Sequence, residues 1–105
     1  MILGQEPKQH VLGNDIVLQV VWTDPVTRLV QDDLPVQAMT CYVRHTDDAD
    51  AIEAGDVVEG SGIAYEATFR PTRTGMYYYA FIYDGPPRAL KPGMFEVIGN
   101  EVNIA

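Results

Sequence analysis

The chain predicts an all-β domain, a sandwich of about seven antiparallel strands, and three observations carry that prediction. Apolar and polar residues alternate with a period of two in several runs, most plainly Ile16-Val-Leu-Gln-Val-Val-Trp22 and Tyr65-Glu-Ala-Thr-Phe69, the pattern of a strand with one buried face. Turn-forming residues separate the runs at Asp24-Pro25, Asp32-Asp-Leu-Pro35, Pro71-Thr-Arg-Thr-Gly75 and Asp84-Gly-Pro-Pro87. No long stretch has the period of an amphipathic helix.

Taken in order, residues 1–9 read as an arm, with Ile2 and Leu3 its apolar residues, and His10 to Gly13 as a short first strand. Asp15 to Thr23 is the first long strand. Its Ile16, Leu18, Val20 and Trp22 are assigned inward because they include the largest side chains. A short extended piece near Arg28 to Gln31 follows. Val36 to His45 is the next strand, with Met39, Cys41 and Val43 on the apolar face and Ala38, Thr40, Tyr42 and Arg44 on the other. Thr46 to Asp56 is the most acidic stretch and reads as an exposed loop, with a helical turn expected over Ala49 to Ala54 and a short strand near Val57-Val58. Gly62 to Asp84 reads as two strands folded back on each other around Pro71, which cannot donate to a ladder, and Gly75. Arg88 to Ile98 supplies the last strand, directing Phe95 and Val97 one way and Met94, Glu96 and Ile98 the other. Pro92-Gly93 predicts a bulge or a switch between sheets there. The domain thus spans residues 10–98, and residues 99–105 form a tail.

The spacing aromatic-x-small-x-aromatic-x-Pro-x-x-x-Gly-x-Tyr, here Tyr65, Ala67, Phe69, Pro71, Gly75 and Tyr77, is followed by Gly85 and a strand closing on Phe95-Glu-Val97. It resembles the second half of filamin-type and related early-set immunoglobulin-like domains, over roughly the last forty residues. The resemblance implies an immunoglobulin-like β-sandwich in which Tyr77 is a corner tyrosine, returning its hydroxyl to upstream backbone. It implies no single activity, because such domains serve many functions.

Composition narrows the function classes. At 105 residues the chain is one domain, and its 47% apolar content is ordinary for a globular protein. No apolar run approaches the ~20 residues of a membrane helix, and the first residues lack the pattern of a secretory signal. A virion or the cytoplasm of the producing cell is the expected location, with no membrane partner. A single cysteine, Cys41, rules out an intradomain disulfide and reads as a small buried hydrophobe. The net charge of -8 opposes nucleic-acid binding and favours basic or neutral protein partners.

The residue types of an active site are present without their pattern. Ser61, the only serine, stands between two glycines, and His10 and His45 fall on different elements. Asp47, Asp48, Asp50, Glu53 and Asp56 offer hard oxygen ligands, but with Asp48 first, Ile52 occupies the fifth place, where an EF-hand needs oxygen. These acids read as a solvated loop, with a looser calcium site over Asp47 to Asp56 as the alternative. No catalytic residue, metal site or cofactor is therefore assigned.

A surplus of apolar residues is the stronger signal. If Tyr77, Tyr79, Phe81 and Tyr83 fill the core, alternation turns Met76, Tyr78, Ala80 and Ile82 outward, where neighbouring strands would add Tyr42, Thr40, Met94 and Ile98. Soluble monomers seldom expose so large a patch, and tyrosine and methionine are favoured at interfaces. The partner-binding residues expected are thus Tyr42, Thr40, Tyr78, Ile82, Met94 and Ile98. The competing readings are coverage of this patch by the chain's own loops or arm, and a slip of the alternation at a bulge. A small, one-cysteine chain of this type looks similar to accessory structural proteins of tailed bacteriophage particles, which decorate a capsid or join head to tail. That likeness implies a non-enzymatic structural protein, oligomeric in assembly, that binds itself or capsid and tail proteins. The alternatives are a carbohydrate- or ligand-binding module with Tyr42 and Tyr78 as platforms, and a filamin-like peptide binder using the edge of Val36 to His45.

Overall fold

The computed structural model describes residues 8–24, 26–31, 33–60, 62–85 and 88–99. The expected arm with Ile2 and Leu3, the tail, Ser61, and the turn residues Pro25, Asp32, Pro86 and Pro87 lie outside them. The described residues form an all-β fold of ten strands: β1 Lys8–Val11, β2 Ile16–Val20, β3 Trp22–Thr23, β4 Val30–Gln31, β5 Met39–His45, β6 Ile52–Glu53, β7 Val58–Glu59, β8 Tyr65–Phe69, β9 Gly75–Tyr83 and β10 Ala89–Ile98. Five strands make one sheet in the order β1-β10-β9-β5-β6, three a second in the order β2-β8-β7, and β3 and β4 a separate pair. β1 runs parallel to β10, so the larger sheet is mixed where all pairs were expected to be antiparallel.

Alternation decides which side chains meet. Ile16, Leu18, Val20 and Trp22 are all buried, as are Met39, Cys41 and Val43 of β5, Tyr65, Ala67 and Phe69 of β8, and Phe95 and Val97 of β10. The two larger sheets share this one core. The Phe69 ring of the smaller sheet lies 5.7 Å from Tyr77 and 6.3 Å from Phe95 of the larger, and Tyr77 and Phe95 stack at 5.0 Å. Each such side chain taken out of water contributes about 1.5–3 kcal/mol. On β9, Tyr77 is buried and Phe81 fully so, while Tyr79 and Tyr83 are half-buried against the core.

Four local expectations are corrected. β8 and β9 do not pair with each other, because each already has neighbours on both sides: β2 and β7 for β8, β10 and β5 for β9. The turn around the buried Pro71 instead carries the chain from one sheet to the other. Its far end is pinned as the resemblance implied, the Tyr77 hydroxyl donating to the Arg73 carbonyl at 2.9 Å. Pro92 introduces neither a bulge nor a sheet switch, for the register from Ala89↔Tyr83 to Val97↔Gly75 is unbroken. β1 joins β10 from Phe95 onward, so among the described residues no strand pairs with Pro92 on that side and none calls on the N–H that it lacks. Gly93 faces Tyr79, and a Cβ there would collide with that ring.

No helical turn forms over Ala49 to Ala54, where Ile52–Glu53 pair with Tyr42 and Val43 of β5. The ladder overrides the helical preference of the alanines. The strand expected from Val36 begins only at Met39, after a 3-10 turn over Val36–Ala38. Smaller shifts of boundary place β1 at Lys8 and β7 at Val58.

Candidate functional site: the outer face of the five-stranded sheet

Register places the expected contact residues on one surface. Thr40, Ile82 and Leu90 form one cross-strand row, Tyr42, Ala80 and Pro92 the next, and Arg44, Tyr78 and Met94 a third. Beyond them stand Met76 and Glu96, and then Ile98 beside Val11. Rows of this kind lie about 7 Å apart along a strand and their members about 5 Å apart across it, so the six expected residues occur on one continuous face. Tyr42, Tyr78, Met94 and Ile98 are exposed, while Thr40 and Ile82 are half-buried.

Leu90, the most exposed of the group at 55%, and Val11 extend the patch and were missed from sequence. Leu90 shares its parity with Met94 and Ile98, so the signal was present. Reading Pro92-Gly93 as an interruption kept that parity from being carried back to Leu90.

A shallow hollow of about 440 Å³ interrupts the face, lined by Tyr42, Arg44, Ala51, Tyr78, Ala80 and Pro92. It exists because Ala80 is the small member of a row bounded by larger side chains. Arg44 is fixed at its margin, its guanidinium 5.2 Å from the Tyr78 ring centroid and its Nη1 donating to the Asp48 carbonyl at 2.8 Å. A cation over an aromatic face is attracted to the ring quadrupole, which favours one orientation of Tyr78. The groups offered are phenol rings, a thioether and aliphatic carbon, with charge confined to Arg44, Glu53 and Glu96. Such a surface binds by shape and apolar contact.

The other candidates serve the framework. His45 is 6% exposed; its Nδ1 accepts from the Asp47 amide at 3.1 Å, and its Nε2 lies 2.9 Å from the Thr74 carbonyl. Since a main-chain N–H only donates, Nδ1 carries no proton and Nε2–H donates to Thr74. Edge-on to Tyr77 at 4.8 Å, this ring is a strut of the corner between the sheets. His10, on β1, is separated from it by β10 and β9. Burial first, and then Lys8, lower the pKa of His10. Cys41 is 1% exposed on an interior strand, and burial pushes its thiol up to about 12, which keeps it protonated and unreactive. Burial, reinforced by Cys41, also raises the phenol of Tyr79.

In the acidic stretch, Asp48 pairs with Arg73 at 2.7 Å, and Glu53 lies on β6 opposite Tyr42. Among the described residues no three His, Cys, Asp or Glu side chains gather closely enough to hold a metal ion. No protein-family model and no curated protein matches the chain.

Proposed function

We propose that the protein is a non-enzymatic structural or assembly protein that docks protein partners on the outer face of its five-stranded sheet, through Tyr42, Thr40, Tyr78, Ile82, Met94 and Ile98 together with Leu90 and Val11. One observation carries the reading: this face is apolar across four strands and, among the described residues, has no second layer over it. A patch of that size on a small domain costs solubility unless it is used.

The framework is read as an immunoglobulin-like sandwich. The order β1-β10-β9-β5-β6 over β2-β8-β7 and the Tyr77 hydrogen bond support that reading. Its specific form is a virion component of the tailed-bacteriophage kind, in capsid decoration or head-tail joining, supported by likeness of type. Many copies on a particle would make a weak single contact sufficient.

Sedimentation of producer-cell lysate through a density gradient tests the proposal. The wild-type chain is expected to travel with particles, and Tyr78→Lys, with an unchanged circular dichroism spectrum, to stay with free protein. If both travel together, the face is not the docking surface. If neither does, the particle assignment fails.

A second reading, peptide addition at the β5 edge, is favoured by a groove of about 440 Å³ lined by Met39, Cys41, Glu53, Val57 and Val58 among others. Among the described residues β6 pairs with β5 at Tyr42 and Val43, and the Ala54 amide donates to the Cys41 carbonyl at 2.8 Å, so the stretch left open on that side is Met39 and Thr40. Binding at that edge would survive Tyr78→Lys.

A further inference from the structure

The hollow at Ala80 has two unlike ends. Register lays Glu53, Tyr42, Ala80 and Pro92 in a single row across β6, β5, β9 and β10, with the hollow of about 440 Å³ over its middle. An acid closes one end of the row and a proline the other. Ala51, which lines the hollow beside Arg44, belongs to the stretch that also carries the exposed Asp47 and Asp50. On that bank Asp47, Asp50 and Glu53 outnumber the cation Arg44, since Asp48 is already paired with Arg73. The bank is acidic.

The hydrogen-bonding groups of the hollow are one-sided as well. β9 is paired along both edges here and β5 is paired with β6 at Tyr42, so the main-chain groups beneath the hollow are taken up in ladders. Side chains are what remain. They are the hydroxyls of Tyr42 and Tyr78 and the N–H groups of Arg44 beyond the one given to the Asp48 carbonyl, set among apolar rings. Donors predominate. A proline-rich segment answers such a set: it has few N–H groups to satisfy, and its carbonyls stand outward on a preformed extended helix.

We infer that the hollow receives a basic, proline-rich segment of a partner protein, with a proline ring over Ala80 between Tyr42 and Pro92 and a lysine or arginine above Glu53. The inference rests on the outer face being the docking surface. Spacing supports it: the strand separation puts Glu53 about 10 Å from Ala80, and a polyproline chain advances about 9 Å in the three residues that return it to the same side. A cation three residues from the seated proline stands over the carboxylate. In a chain of net charge -8 the same acids repel a second copy and steer a basic partner inward.

The test uses the full chain and the capped peptide Lys-Pro-Pro-Pro-Pro-Pro-Lys, in which lysine lies three residues from the central proline in either direction. NMR titration should move the resonances of Tyr42, Tyr78 and Ala80 before others. Two control peptides separate the components: one with glutamate for both lysines, the other with alternating glycine and serine for the prolines. Each should bind at least about tenfold more weakly. Glu53→Lys, an exposed change, should weaken the parent peptide at least about fivefold, and Tyr78→Lys should abolish its binding.

Absence of binding, equal binding of either control, or indifference to Glu53→Lys overturns the inference. So does binding that survives Tyr78→Lys, which would be diffuse attraction to an acidic protein. If the peptide fails on a chain whose particle binding Tyr78→Lys abolishes, this inference falls and the docking reading stands. If Tyr78→Lys leaves particle binding intact, the docking reading falls and this inference with it.

Discussion

Strand β9 carries tyrosine on both of its faces, and the faces use it differently. On the inner face Tyr77 is buried with its hydroxyl satisfied by the Arg73 carbonyl, and Tyr83 lies half-buried with its ring centroid 6.3 Å from that of Trp22. On the outer face Tyr78 is 43% exposed, its ring under the Arg44 guanidinium. A buried phenol must find an acceptor or lose the free energy of an unmade hydrogen bond. An exposed one gives its hydroxyl to water and keeps its ring for another molecule. The inner row therefore sets the corner between the sheets, and the outer row is free to serve a partner.

The contrast breaks most severely at Phe81. Its side chain is 0% exposed, and Phe81→Ala should lower unfolding free energy by about 3–5 kcal/mol in urea titration, since a cavity adds to the lost transfer energy. A loss below about 1 kcal/mol would mean that the core centres elsewhere. Tyr77→Phe keeps the ring and deletes only the bond to Arg73, so about 1 kcal/mol should go.

Which side chains face the core was legible in the sequence, because alternation is local. The parities of Ile16 to Trp22, Met39 to Val43, Tyr65 to Phe69 and Phe95 to Val97 all match the buried set. The same parity would have turned His45 inward behind Val43, but a polar residue was not counted as core. Strand pairing was not legible from local pattern, because it depends on partners distant in the chain; the strand order implied by the resemblance did put the strands of Tyr42 and Met94 on either side of β9, as observed. β8 and β9 are adjacent in sequence and look like a hairpin, yet each finds its neighbours elsewhere. Ile52–Glu53 is a strand only because β5 offers it a ladder. As for the candidate site, the outward direction of its six residues was legible from parity and their grouping on one face from the strand order the resemblance implies, whereas the hollow at Ala80 required the register of three strands.

A smaller effect separates β1's two faces. Gln9 turns outward and donates to Glu96 at 2.8 Å, while His10 lies edge-on to Phe95 at 5.8 Å. With its pKa lowered by burial and then by Lys8, His10 binds a proton more weakly folded than unfolded. Its contribution to stability is therefore complete above the ordinary histidine value of about 6.5 and is lost as pH falls through the depressed one. The thermal midpoint should fall between pH 7 and pH 5 (about the range in which histidine titrates), and less steeply in His10→Gln. Parallel curves for the two proteins would remove His10 as the cause.

The smallest effect on stability belongs to the outer row, and its smallness sharpens the comparison. Tyr78→Lys exchanges a half-exposed ring for a chain that can lie along the same surface with its amine in water. It loses the contact with Arg44 and sets two cations on adjoining strands, so unfolding free energy should change by no more than about 0.5 kcal/mol. Docking should nevertheless be abolished, because a charge at the centre of an apolar contact must be desolvated without a counter-ion. Urea titration and gradient sedimentation of the same variant separate the two quantities. Were Tyr78→Lys instead to cost as much as Phe81→Ala, the ring would be part of the fold's own packing, and the distinction between the two faces of β9 would fail.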